Sequence, residues 1–319
     1  MYAQGCSDAG FCTLGAMKPN QAYSKKINIR VRSIEVSVYY GESRHGLQNV
    51  ALNGDVNIGI SKKFTAQIKL PYQYLKGKLA TKDGVGDVSL AVSYNLVGKE
   101  TYQINLSLGG KIPTGAADAT VADDSAGVKI KNRALPMYYQ TTLGTYDILG
   151  GISLITRGWL FATGFQYDIT ENKNDFLWGR WNGSSSKSIS DNYAKSRQLH
   201  RGFDVMWRIE KNLRFSNWNA YLGLLWIHRI TKDTFLDVDN KRREIEGSDG
   251  AAVTLLGGLG YRFDVHWGIK LLGGYGLMDR AYTQYKTPAI NQATTDPVKK
   301  NPDGLSRAFV ITTGLEYRF

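Results

Sequence analysis

Residues 87–96 read DVSLAVSYNL. Val88, Leu90, Val92, Tyr94 and Leu96 occupy every second position, and Asp87, Ser89, Ala91, Ser93 and Asn95 fill the gaps. This period of two marks a β-strand with one apolar and one polar face.

Working outward, the same alternation recurs along the chain. Leu52, Val56 and Ile58 stand against Asn53, Asp55 and Asn57, and Ile68, Leu70, Tyr72 and Tyr74 against Gln67, Lys69 and Gln73. Leu106, Leu108 and Ile112 face away from Asn105, Ser107 and Lys111, while Phe165, Tyr167 and Ile169 face away from Gln166, Asp168 and Thr170. Val205, Trp207 and Ile209 oppose Asp204, Arg208 and Glu210, and further stripes run through 253–263 and 267–277. With a first strand over 33–41 and a last over 306–319, the pattern predicts about twelve strands. An even number places both ends of an up-and-down barrel on one side.

The connections fall into two alternating kinds. Turns at 61–64, 97–101, 156–158, 211–217 and 264–266 are short, whereas 42–49, 75–86, 114–136, 172–199, 233–250 and 286–305 are long and polar. That asymmetry is the one between the periplasmic turns and extracellular loops of an outer-membrane barrel. The predicted fold is therefore all-β: a transmembrane antiparallel up-and-down β-barrel.

Composition agrees. The 319 residues include 35 Gly, 19 Tyr, 7 Trp and 11 Phe, yet only 42% are hydrophobic. No run of about 18 apolar residues is present to form a membrane helix, but averaging over two faces hides a barrel from such a scan. No linker divides the chain, so one domain is expected.

The opening MYAQGCSDAGFC has neither a basic nor an apolar signal region, as expected of an exported chain in nearly mature form. Cys6 and Cys12 lie close together with no His nearby, which favours a local disulfide in an oxidising compartment; free thiols are the alternative. Ile27, Ile29 and Val31 keep one phase and Ile34, Val36, Val38 and Tyr40 the other. Either a bulge lies near Arg32 and Ser33 or the barrel begins there. The second reading is preferred: residues 1–32 form a periplasmic or luminal plug and 33–319 the barrel.

In the terminal strand, Phe309, Ile311, Leu315, Tyr317 and Phe319 share a face. The spacing of Thr312, Gly314, Tyr317 and Phe319 resembles the C-terminal signal of outer-membrane barrels, and the resemblance implies recognition by the barrel-assembly machinery. The run GDVSLAVSYNLVGKETYQINLSLGGKIPTG at 86–115, with LPMYYQTTLGTYDILGGISLI at 135–155, resembles the phenol-degradation (MetA-pathway) outer-membrane family. That resemblance covers about a sixth of the chain. It implies a monomeric channel for small, often hydrophobic or aromatic compounds.

The formal charge of +12 raises nucleic acid, but the inward faces carry acids and bases alike, so no nucleic-acid partner is expected. The excess base falls in loops, where lipopolysaccharide phosphates and carboxylates are natural partners. Selectivity residues expected in the lumen are Lys69, Lys111, Arg208, Lys270 and Arg280 facing Asp55, Asp147, Asp168 and Asp204, two rows that would set up a transverse field. Gly109, Gly151, Gly164, Gly258, Gly260, Gly274 and Gly276 point inward and leave room for a solute or permit curvature.

Phe176, Trp178, Arg180 and Trp181 form the sharpest local cluster. They suit a platform at the pore mouth or an outer aromatic girdle, with the girdle preferred. Histidines 45, 200, 228 and 266 have no assured serine partner, so the chain reads as a non-enzyme without cofactor or metal. The expected function is a channel for small solutes, hydrophobic or aromatic or, given the excess base, anionic; the alternative is a non-conducting subunit of a larger envelope assembly.

Overall fold

The computed structural model describes residue 14 and residues 30–42, 46–123, 130–280, 283–285, 297–300 and 309–319. The barrel strands are β1 (Arg30–Glu42), β2 (Gln48–Gly59), β3 (Phe64–Lys76), β4 (Val88–Gly98), β5 (Tyr102–Ile112) and β6 (Asp147–Thr156). They continue as β7 (Trp159–Asp168), β8 (Asp204–Phe215), β9 (Trp218–Arg229), β10 (Gly250–Arg262), β11 (Trp267–Met278) and β12 (Phe309–Arg318). Each strand pairs antiparallel with its chain neighbours, and β1 pairs with both β2 and β12 to close the barrel. Closure leaves no unpaired edge, as a lipid environment demands.

The phase break near Arg32 is a bulge. β1 already starts at Arg30, and its register to β2 shifts between Val31 and Ser33. The barrel therefore begins three residues before the expected Ser33, because an extra residue can flip faces without ending a strand. The Cys6–Cys12 pairing, His45 and residues 1–29 other than Leu14 lie outside the described residues.

Side chains sort by phase as the alternation requires. Leu108, Leu222 and Trp226 are exposed on the outer face, while the inward Asn105, Ser107 and Tyr221 are buried. At the turn end, the outer face carries a ring of aromatics in which Trp218 packs on Tyr261, Tyr261 on Phe263, and Tyr317 on both Trp267 and Phe319. Lys63, Lys99 and Lys211 lie over Tyr94, Tyr102 and Trp159 at the same level. Tyr40, Tyr72, Tyr74, Tyr146 and Tyr167 mark the opposite border. An apolar band between two aromatic girdles is a lipid-facing surface.

Candidate functional site

At the turn end the lumen opens into a vestibule with a cavity volume of 1310 Å³. Its wall includes the basic residues Lys99, Arg157, Arg214, Arg262, Lys270 and Arg318 but only two acids, Glu100 and Glu316. Two of these bases, Arg157 and Arg214, come from places the alternation does not mark, whereas Arg262 follows the inward phase of its strand. β8 runs on to Phe215, past the expected stop at Lys211, and so brings Arg214 onto the inward row below Arg208 and Asn212. Arg157 sits in the two-residue turn between β6 and β7, and Arg262 ends β10.

From the vestibule inward, bases and acids lie side by side. Lys270 Nζ is 3.1 Å from Glu35 and 3.1 Å from Glu316. Arg208 Nη2 lies 2.8 Å from Glu210. Asp55 accepts from Gln67 Nε2 at 2.6 Å and stands opposite Lys69 in the β2–β3 register. The expected transverse field between facing rows is therefore replaced by local pairs, since acids and bases alternate along and between adjacent strands.

The remaining expected lumen residues gather at the loop end. Arg201, from the loop after β7, reaches Asp147 at 2.6 Å, with Lys111 Nζ 3.8 Å from the same carboxylate. Arg229 bridges Asp204 at 2.7 Å and Asp233 at 2.5 Å, and Arg280 approaches Asp204 at 3.4 Å. Arg280 lies beyond the end of β11, so it joins this rim cluster from a loop. Asp168 takes the Arg201 backbone N–H and lies 2.8 Å from His200 Nδ1. Burying so many charges requires this mutual pairing, because an isolated buried charge would be very costly.

The motif ends at residues 86–87 and 111–115 meet at the same rim. Thr114 Oγ1 donates to the Gly86 carbonyl at 2.6 Å, and a Cβ on Gly115 would fall 2.1 Å from the Val85 carbonyl oxygen. Thr142 donates to Asp87. Burial pushes the Asp87 carboxyl up to about 6, against the opposing pull of Thr142, Lys111 and the Leu143 amide.

Over this rim the long loops pack a cap with its own core. Leu47, Leu79, Leu135, Tyr139, Phe176, Trp178, Trp181 and Tyr193 come from four separate connections. Trp178 Nε1 donates to the Tyr193 carbonyl at 2.7 Å and Trp181 Nε1 to the Ala134 carbonyl at 3.0 Å. Phe176 is 0% and Trp181 1% exposed. The girdle assignment of this cluster is thus corrected: its aromatics fill the cap, while Arg180 stays outside, paired with Asp175. Indole N–H groups with carbonyl partners can be buried at little cost.

Two further features bear on permeation. Leu14 is 1% exposed and packs with Ala91, Leu149, Met206, Leu225 and Ile227, all of them lumen-facing. Gly258 faces the Tyr221 ring, which would lie 2.3 Å from an added Cβ. That glycine accommodates an aromatic side chain, so the space it leaves is already filled. Among the histidines, His266 Nδ1 lies 2.8 Å from the Arg318 carbonyl oxygen, and Ser196, near His200 in sequence, donates to Asn174 instead.

No protein-family model and no curated protein matches the sequence. Among solved structures, an outer-membrane channel from Pseudomonas putida F1 aligns at a TM-score of 0.53 and 10% identity, covering 94% of this chain and 100% of that one. The NanC porin aligns at 0.47 and 9% identity over 90% of this chain and 100% of its own, and the KdgM porin at 0.41 and 8% over 90% and 99%. The likeness to the Pseudomonas channel is one of fold. Together with the closed strand order and lipid-facing band, it defines this chain as a twelve-stranded β-barrel of the outer membrane.

Proposed function

We propose that this protein is an outer-membrane channel for small solutes, entered on the periplasmic side through the turn-end vestibule. The observation that carries this reading is the 1310 Å³ cavity at the turn end, lined mainly by polar and basic side chains. Barrels of about eight strands are filled by side chains, and a barrel of twelve is wide enough to leave such a space. The local charge pairs below the cap keep the wall polar without a strong net field at mid-depth. The phenol-family resemblance of residues 86–115 points the same way. Thr312, Gly314, Tyr317 and Phe319 serve as the assembly signal in this reading, and cationic loops contact lipopolysaccharide. Planar-bilayer recording and liposome swelling test it: discrete conductance with solute uptake is expected, and the absence of both would overturn it.

A second reading has its own support in the loop-end core and in Leu14. Tyr139 and Phe176 are fully buried there, and Leu14 occupies the apolar part of the lumen just below. In that reading the N-terminal segment is a plug and the barrel an accessory subunit of an envelope assembly. Removing residues 1–26 separates the two: unchanged conductance with a lost envelope partner favours the accessory role, while raised conductance favours a plugged channel.

A further inference from the structure

The vestibule bases divide into two groups: Lys270 and Arg318 pair with Glu316, as most lumen cations pair with a carboxylate, and three arginines do not. Arg201, Arg208, Arg229 and Lys270 each contact a carboxylate. Arg157, Arg214 and Arg262 also line the vestibule, yet among the described residues their guanidinium groups have no carboxylate partner.

Their placement is set by the register. Arg214 stands opposite Asn219, Asn219 opposite Gly260, and Gly260 opposite Lys270, so one inward row crosses four strands. Arg262 lies on the same inward face of β10, opposite Gly268. A Cβ on Gly260 would meet nothing closer than 3.5 Å, so this part of the wall is a low floor between long basic side chains. Arg157 adds a third guanidinium from the turn, where it holds a φ of 37° beside Gly158 at 82°. Two left-handed residues in succession normally favour Asn and Gly. An arginine at the first of them carries a backbone cost, which is more often tolerated where the side chain has a task.

We propose that Arg157, Arg214 and Arg262 form a binding site, open to the periplasm, for a small organic anion carrying two or more carboxylate or phosphate charges. The guanidinium fork matches both oxyanions bidentately, and the three exposed arginines give the vestibule mouth an excess of positive charge over Glu100 and Glu316 that attracts an entering anion. A monovalent solute would leave two of the three guanidinium groups without a counter-charge and a neutral one all three. The site rests on the channel reading for its role in transport but not for its existence.

Calorimetry on the detergent-solubilised barrel with citrate, glucose 6-phosphate and glucose tests it. Saturable binding of citrate, of the sugar phosphate or of both is expected, with none for glucose; which anion binds tells carboxylate from phosphate recognition. R157Q/R214Q/R262Q should lose about tenfold or more in affinity, whereas R242Q/R243Q on an outer loop should lose nothing. Heat-shifted gel mobility confirms that each variant is a closed barrel. If the triple variant does not assemble, R214Q and R262Q singly should each weaken binding. Absence of anion binding, equal binding of glucose, or full affinity in the arginine variants would overturn the site. Bilayer current keeps the two ideas apart: binding without conductance sinks the channel and spares the site, and conductance without binding does the reverse.

Discussion

Tyr139 and Tyr193, from two different loops, meet hydroxyl to hydroxyl at 3.2 Å inside the cap, and the Tyr139 oxygen also accepts the Leu79 N–H at 3.1 Å. One phenol thus joins three of the long connections. Tyr139→Phe keeps the ring and deletes the junction, leaving the buried Leu79 amide without its acceptor, at a cost of about 1–3 kcal/mol. Faster hydrogen exchange at Leu79, by about tenfold, is the expected outcome. Unchanged protection there would mean that packing alone holds the cap.

The buried Asp87 makes cap stability depend on pH. Its folded-state value of about 6 lies above the ordinary 3.8, so the folded protein favours the neutral carboxyl. The stabilisation this group supplies is fully present below about pH 4 and is lost as pH rises to about 6, in total about 3 kcal/mol. Asp87→Asn retains an acceptor for Leu143 and a neutral side chain at all pH. Urea midpoints should therefore show the variant gaining on the wild type between pH 4 and pH 7. A constant difference between the two proteins across that range would refute the assignment.

Much of the fold was legible because the barrel imposes one rule on every strand. Asp87–Leu96 could alternate only as a strand with a polar inner face, and the same rule placed Lys111, Arg208 and Asp204 in the lumen. It failed at Arg32, where a bulge mimics a strand boundary, and at Arg214, where the apolar Leu213 and Phe215 continue the outer stripe past an apparent turn. The cap was harder to read. Phe176, Trp178 and Trp181 look like girdle residues because composition alone does not distinguish an aromatic facing lipid from one buried under a neighbouring loop. Their carbonyl partners at Tyr193 and Ala134 are set by tertiary folding.

The rim pair of Arg201 and Asp147 illustrates the same limit, since a loop residue supplies the partner of a strand residue 54 positions away. Both side chains are almost fully buried. Arg201→Gln would leave the carboxylate with Lys111 as its remaining nearby cation, and breaking such a buried pair costs about 3–5 kcal/mol. The gel-shift melting temperature should fall clearly, and R201Q/D147N should recover part of the loss. A double variant no more stable than R201Q would show that hydrogen bonds from Thr145 and Gln166, rather than charge, make Asp147 matter.

Leu14 offers the most direct handle on whether the lumen is blocked by its own chain. It fills a niche of Ala91, Leu149, Met206, Leu225 and Ile227, and burying a leucine side chain contributes about 1.5–3 kcal/mol. That is enough to keep it in place most of the time but small enough to be reversed by one substitution. Leu14→Asp sets a carboxylate against those apolar side chains, where the cost of losing water exceeds the gain from contact. The barrel itself closes through β1 to β12 and does not depend on Leu14, so assembly should be unaffected. In planar bilayers L14D should therefore conduct more than the wild type, and a chain lacking residues 1–26 should match it. If both variants carry the wild-type current, Leu14 decorates the lumen wall without obstructing it, and any barrier to permeation must lie in the cap held by Tyr139 and Trp181.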